Sequence, residues 1–230
     1  PALLSAQPNS RDAQTLASLQ MSYDFGGATL KSISAFVNTK DYFTTDFGGV
    51  GAIMTAIDTQ SDEYTQELQL QGKADNDRLD YLLGAYYLHE NSEQNFGWQF
   101  ITPTSTSNEK SQTNSISFFG QASYKVTDAL KATAGVRWVH DSKRFKLFTI
   151  HLPTSIVPGN GGRVNLANTY SAATPKFGLD YSHPASGAVD SMLLYVSAAR
   201  GFKSGGYNGI VIFDVAEGSL PYRPETNWSY

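Results

Sequence analysis

The sequence predicts an all-β fold, an antiparallel transmembrane β-barrel, on three observations. Apolar and polar residues alternate with period 2, aromatic content is high in a polar chain, and the connections are short and long by turns. Among 230 residues, 13 Tyr, 13 Phe and 3 Trp make up 13%, yet the mean hydropathy is −0.31. Strands that set a lipid-facing apolar residue beside a lumen-facing polar one cancel in any average, so a membrane barrel reads as polar. No run approaches the roughly 18 apolar residues of a spanning helix, and none has the form of a secretory signal. The absence of cysteine leaves out disulfides and thiolate metal sites. A net charge of −4 without like-charge blocks gives no electrostatic footprint for nucleic acid.

The alternation can be followed along the chain. Ala17, Leu19, Met21, Tyr23 and Phe25 share one parity, with Ser18, Gln20, Ser22 and Asp24 between them. From Glu63 to Gln71 the odd positions are polar, with Tyr64, Leu68 and Leu70 opposite. Ile116, Phe118, Gly120, Ala122 and Tyr124 form the next apolar row, broken on the polar side only by Phe119. Leu130, Ala132, Ala134, Val136 and Trp138 follow, with Val139 as the exception, and then Phe177, Leu179 and Tyr181. Over 191–202 both parities carry apolar residues, and the segment has no orientation from pattern alone.

Short turns are expected at about 25–28, 74–77, 126–129 and 182–190, and long Gly-, Thr- and Pro-rich loops at about 44–61, 96–111, 149–168 and 204–223. A ninth strand opens near Glu225. Outer-membrane barrels sort their connections by end in this way, with short periplasmic turns and long extracellular loops. Aromatic placement agrees: Tyr23, Phe25, Tyr81, Tyr124 and Tyr181 lie beside short turns on the apolar parity, as a lower girdle would. Trp138 and Tyr87 lie about 15 to 20 Å higher at ~3.3 Å per residue and a tilt near 40°, where an upper girdle would be. Tyr and Phe are also good strand residues, but that alone does not place them beside turns. About nine strands cannot close on themselves here without leaving backbone groups unpaired in hydrocarbon, so the chain is expected to be part of a larger barrel.

The wording of these strands resembles the barrel of TonB-dependent receptors. Ser117 to Tyr124, followed by Ala134 to Asp141, is similar to the family's mid-barrel hairpin. So is Tyr195 to Asn208, with the Tyr222-Arg-Pro-Glu-Thr run after it. Gln66 to Leu70 and Tyr81 to Tyr87 resemble earlier hairpins of the same family. The resemblance implies a barrel of 22 strands around an N-terminal plug, in the bacterial outer membrane. It further implies ligand captured outside, most often a ferric siderophore, and energy delivered by the TonB complex. Residues 1–230 would then be the middle of the barrel domain, with plug and TonB box outside this chain.

No nucleophile elbow, phosphate loop or zinc spacing occurs, so no enzyme and no cofactor is expected. His89, His140, His151 and His183 are scattered. Asp75, Asp77 and Asp80 lack the Gly and distal Glu of a calcium loop and read as a polar hairpin turn. Arg137, Lys176, Glu67 and Asp180 on the wet parity are expected to form lumen networks. Binding is expected on the long loops. The candidates are the aromatics Trp98, Phe100 and Tyr207, with Asn208 and the cations Arg163, Arg200 and Lys203 to attract an anionic complex. Lipid and lipopolysaccharide are the expected surroundings, and the same cations are alternatively lumen-lining or lipopolysaccharide-binding residues. Two rival functions remain open at this point: a passive porin or adhesin barrel without energy coupling, and a soluble β-sandwich that folds without detergent.

Overall fold

The computed structural model describes residues 8–184 and 191–230. Nine strands form one antiparallel sheet in sequence order. They are β1 (Asn9–Asp24), β2 (Ala28–Asp46), β3 (Ile53–Ala74), β4 (Leu79–Phe100), β5 (Thr102–Lys125), β6 (Leu130–His151), β7 (Gly162–Pro184), β8 (Ser191–Lys203) and β9 (Glu225–Ser229). A 3₁₀ turn, Val215–Ser219, interrupts the last connection. Among the described residues no helix is long and apolar enough to cross a membrane. Backbone pairing joins each strand to the next, and the register decides which side chains share a face.

That register aligns the apolar parities of all the strands. Leu30 pairs with Tyr23 and Leu70, Leu70 with Leu83, Leu83 with Gly120, and Gly120 with Val136. Residues opposite one another point to the same side, so one face is apolar from β1 to β8. Those residues do not meet in a dry interior. Leu83 is 54% exposed, Phe118 51%, Val136 52% and Val196 63%, which excludes the soluble sandwich. The girdles lie on this face, with Phe118 stacked on Trp138 at 6.2 Å in the upper row. Below, Tyr23 meets Phe25 edge to face at 4.8 Å. We call the apolar side the outer face.

The inner face explains the exceptions to alternation. Phe119 is cross-strand from Gly84 and lies flat where a side chain on Gly84 would stand. Arg137 reaches over the rings of Tyr86 and Phe119 at 5.4 and 5.9 Å, so the aromatic on the wet side is covered by a cation. Lys131 pairs with Asp180 at 3.5 Å on the same face. Pairing also orients β8, because Leu194, Val196 and Ala198 stand beside Tyr181, Leu179 and Phe177.

Three of the four expected long loops are corrected. The long loops are shorter than the sequence suggested: β2 and β3 are joined by 47–52, β6 and β7 by 152–161, and β4 and β5 by Ile101 alone. Residues 96–111 are therefore mostly strand. The reason is length. A strand of 22 residues, such as β4, rises about 55 Å at ~3.3 Å per residue and a tilt near 40°, against a lipid band of about 25 Å. The upper halves stand clear of the bilayer, where Thr-rich segments pair well although they look like loops in a sequence. Ile101 turns the chain with a positive φ of 61°, uncommon for a β-branched residue. A register shift between Trp98 and Gln99 eases the same corner.

The hairpin at 75–77 carries three residues with φ from 52° to 65°, a conformation that Asp and Asn tolerate better than most. The turn expected at 182–190 lies, for 185–190, outside the described residues.

A charge placed on the outer face midway between the girdles tests this arrangement. Ala134→Arg should lower stability by about 2 to 4 kcal/mol when the full-length protein is folded into phospholipid vesicles. Ala134→Leu should leave the urea midpoint unchanged.

Candidate functional site

At the rim away from the short turns, the β8–β9 connection (204–224) folds back over the inner face. Val211, fully buried, packs on Phe145, Leu147 and Val164, with Leu166, Tyr207 and Val215 at the margin. This is the core cluster of the described residues, and it lies between a loop and the wall. The Tyr207 ring stacks on Phe145 at 4.9 Å with an 18° tilt, while its hydroxyl shares its one proton between two acceptors, Lys143 O at 3.2 Å and Asn168 Oδ1 at 3.1 Å. Ser105 donates from its hydroxyl to Ile212 O at 2.9 Å.

The β6–β7 connection is tied in as well. Asn160 N–H donates to Phe213 O at 3.1 Å and Val215 N–H to Asn160 O at 3.0 Å, and the Asn160 amide donates to Asp214 Oδ2 at 3.0 Å. Asp214 caps the 3₁₀ turn with Glu217 in a reciprocal capping box. Those donors hold the Asp214 carboxyl below the usual carboxylate range, the Ala216 N–H contributing most. Two loops thereby become one packed deck. Each fully buried aliphatic residue contributes roughly 1.5 to 3 kcal/mol.

The residues expected to bind ligand fall into three places. Tyr207 and Asn208 are in the deck, where Asn208 Oδ1 accepts from Ile210 N–H at 3.2 Å. Trp98 and Phe100 sit half-buried at the end of β4. Trp98 is cross-strand from Ser105, which holds the deck, and its ring lies 6.3 Å from that of Phe47. Lys203 is exposed at the end of β8, opposite Glu225. Arg163 and Arg200 belong to the outer parity. Arg163 lies over the Phe148 ring at 4.8 Å, and Arg200 donates to Ala173 O at 3.4 Å. Deck and β4 rim are brought together; these two arginines face away from both.

Sequence reasoning missed Tyr170 and Glu109. The Tyr170 hydroxyl is buried without a hydrogen-bond partner, as is Trp98 Nε1, and burial pushes both the Tyr170 and Tyr207 phenols up. Glu109 stands on the inner face about 20 Å above Phe118, and its carboxylate lies against Gly209, where a side chain would collide with it. Burial pushes its carboxyl up as well. No signal in the sequence marks a lone acid under a loop that arrives 100 residues later. Among the described residues no group of three or more His, Asp or Glu is arranged to hold a metal ion.

An antiparallel wall with an outward apolar band, two aromatic girdles, short turns at one end and an infolded loop at the other defines the class of outer-membrane β-barrels. Within that class, the chain matches the family described as TonB dependent receptor-like, beta-barrel, over residues 2–230, and belongs to it. Barrels of this family lie in the outer membrane of Gram-negative bacteria.

The ferric yersiniabactin uptake receptor FyuA from Yersinia pestis has the same fold at a TM-score of 0.80 and 18% identity, over 95% of this chain and 32% of that one. The siderophore receptor PiuA from Acinetobacter baumannii matches at 0.62 and 13% identity, over 96% and 37%. The open form of the ferric-catecholate import receptor Fiu from E. coli K12 matches at 0.65 and 13%, over 84% and 36%. This chain spans about a third of the length of these receptors.

Val211→Ala should loosen the deck by about 2 kcal/mol. Amide exchange over 205–219 in the full-length protein should accelerate roughly 30-fold, with β3 and β4 unaffected.

For Glu109, whose carboxyl is raised, the contribution to docking is whole below the ordinary value of 4.5 and lost as pH rises through the higher folded value. Intrinsic-rate-corrected protection over 205–219 should fall as pH rises above the ordinary value of 4.5, and Glu109→Gln should flatten that profile.

Proposed function

We propose that the full-length protein is an outer-membrane receptor for TonB-dependent uptake of a scarce nutrient, a ferric siderophore in the first instance. This chain would supply the middle of its barrel. The observation that carries the proposal is the deck: two loops from the outer rim, packed into one body over the inner face, with aromatics and unpartnered polar atoms beside it. A ligand entering from outside meets Tyr207, Asn208 and, across Ser105, Trp98 and Phe100, with Lys203 near the strand end. Half-buried rings offer flat walls to a ring-bearing chelate. The buried Trp98 N–H and Tyr170 hydroxyl are donors that a bound acceptor would satisfy. Because the loops are docked by about one hydrophobic cluster and a few hydrogen bonds, a ligand that binds them can shift their position without disturbing the wall.

The energy-coupling partner is the TonB complex, reached through a plug domain outside this chain. That two of the similar receptors take up ferric yersiniabactin and ferric catecholates supports iron chelates as the substrate class. On the outer side the protein meets outer-membrane lipid and lipopolysaccharide, and we assign Arg163 and Arg200 to that side.

Cells carrying the full-length protein should accumulate radiolabelled iron from a siderophore panel, with sub-micromolar binding for the substrate, and lose that uptake when TonB is deleted. Trp98→Ala and Tyr207→Ala should each weaken binding about ten-fold, the loss of one good contact of ~1.4 kcal/mol. Accumulation that persists without TonB would overturn the assignment in favour of passive passage.

A further inference from the structure

Above the upper girdle the inner face is acidic. Farther from the short turns than Trp138 and Tyr87, the inward parity of β1 to β6 carries Asp12, Asp41, Glu63, Glu90, Glu109 and Asp141. Lys143 on β6 and Lys203 on β8 are the inward strand cations at that height, and Lys203 stands opposite Glu225. The other inward cations of the described strands, Arg137 and Lys176 among them, reach no higher than the girdle. Arg163 and Arg200, the cations expected to attract an anionic complex, point the other way.

The wall does not answer these carboxylates itself. Asp12 is directly cross-strand from Asp41, and Glu63 from Glu90, an arrangement of like charges that destabilises a sheet. Among the described residues none of them forms an ion pair, and the hydrogen bond that reaches them runs from the Ser61 hydroxyl to Glu90 Oε1 at 3.4 Å. Asp141 is 9% exposed, so its carboxylate is largely withdrawn from water without a partner, which is costly. Tyr170, directly opposite it, keeps a buried hydroxyl that is also unpartnered. Ser107 and Thr149, cross-strand from each other next to Glu109 on the same face, are 6% and 2% exposed with open hydroxyls. Buried hydroxyls left open beside unpaired carboxylates suit a guest that brings donors.

A cationic group supplies what both lack. An ammonium has donors and no acceptor, and a cleft lined by one sign of charge concentrates the opposite ion. The faces of Trp98, Phe100 and Tyr207 attract a cation as well. A polyanionic chelate gains nothing from these groups and is repelled by the wall. We propose that this vestibule selects its substrate by charge: it takes ferric chelates that are neutral or positive overall and present an ammonium or guanidinium group. Asp141 and Tyr170 receive that group, one row below the Lys143 and Asn168 pair that holds Tyr207. Glu63 and Glu90, half-buried on β3 and β4, steer it inward. The inference rests on the uptake reading above and narrows its substrate class.

In the test, cells carrying the full-length protein are offered three ferric chelates: a trihydroxamate with a free terminal ammonium, its N-acetylated counterpart and a tricatecholate. Uptake should rank in that order, the ammonium-bearing chelate leading its acetylated twin by about ten-fold, the worth of one charge-assisted contact. In the triple variant Glu63→Gln, Glu90→Gln, Asp141→Asn, checked as a heat-modifiable barrel, that lead should shrink to about two-fold or less. A preference for the tricatecholate, equal uptake of the two trihydroxamates, or a lead that survives in the variant overturns charge selection. Exclusion of all three overturns it as well, while the siderophore panel above still decides transport. Should the variant fail to fold, the wild-type order decides. Accumulation from that panel without TonB sinks the transport proposal, whatever the order of the three.

Discussion

In hydrocarbon no water is present to take up a free N–H or C=O, and each one left unpaired costs several kcal/mol. Most other features of this chain follow from that requirement. It forces neighbouring strands into unbroken ladders, and the ladders from β1 to β7 are continuous through the lipid band. Once the ladder is fixed, side chains have only two directions. Apolar residues such as Leu83 and Val136 go to lipid, and Arg137, Lys131 and Asp180 go inward, where they find an aromatic ring or an opposite charge. The hydrophobic effect selects the face here rather than building a core, which is why so many large apolar residues stay exposed.

The same logic says how much could be read from residues alone. Period 2 is local, so the row from Leu130 to Trp138 and its neighbours were legible without coordinates, as was the lower girdle beside the turns. Where the bilayer stops, the physical contrast that generates the pattern stops too. Residues 102–111 continue as strand in water with polar side chains on both parities, and nothing in their composition separates them from a loop. In β8 both parities are apolar, and only the pairing with β7 tells Leu194 from Leu193. Phe119 broke the pattern because its partner Gly84 leaves room for the ring, a cross-strand relation invisible along one strand.

The candidate site was legible in part for a related reason. Aromatic residues near loops were found because aromatics are rare enough to notice. Their environments were not, because Val211 meets Phe145 across more than sixty positions of chain. The cations divided by parity once the register was known: Lys203 inward, Arg163 and Arg200 outward. Above the membrane, then, the wall carries two different surfaces back to back. One is an infolded deck of aromatics and buried polar atoms, and the other is a polar outer face where Lys110 pairs with Glu93. A strand such as β5 contributes Glu109 to the first and Lys110 to the second, adjacent residues with opposite surroundings.

The register shift between Trp98 and Gln99 has an evolutionary consequence. Gain or loss of a single residue inside a paired strand inverts every side chain beyond it, which between the girdles would turn a greasy surface into the conduit and a charged one into lipid. At the rim, where the ladder already slips by one position, a length change is absorbed before it reaches the bilayer. Related chains can therefore lengthen or trim this corner, while the stave below keeps its residue count.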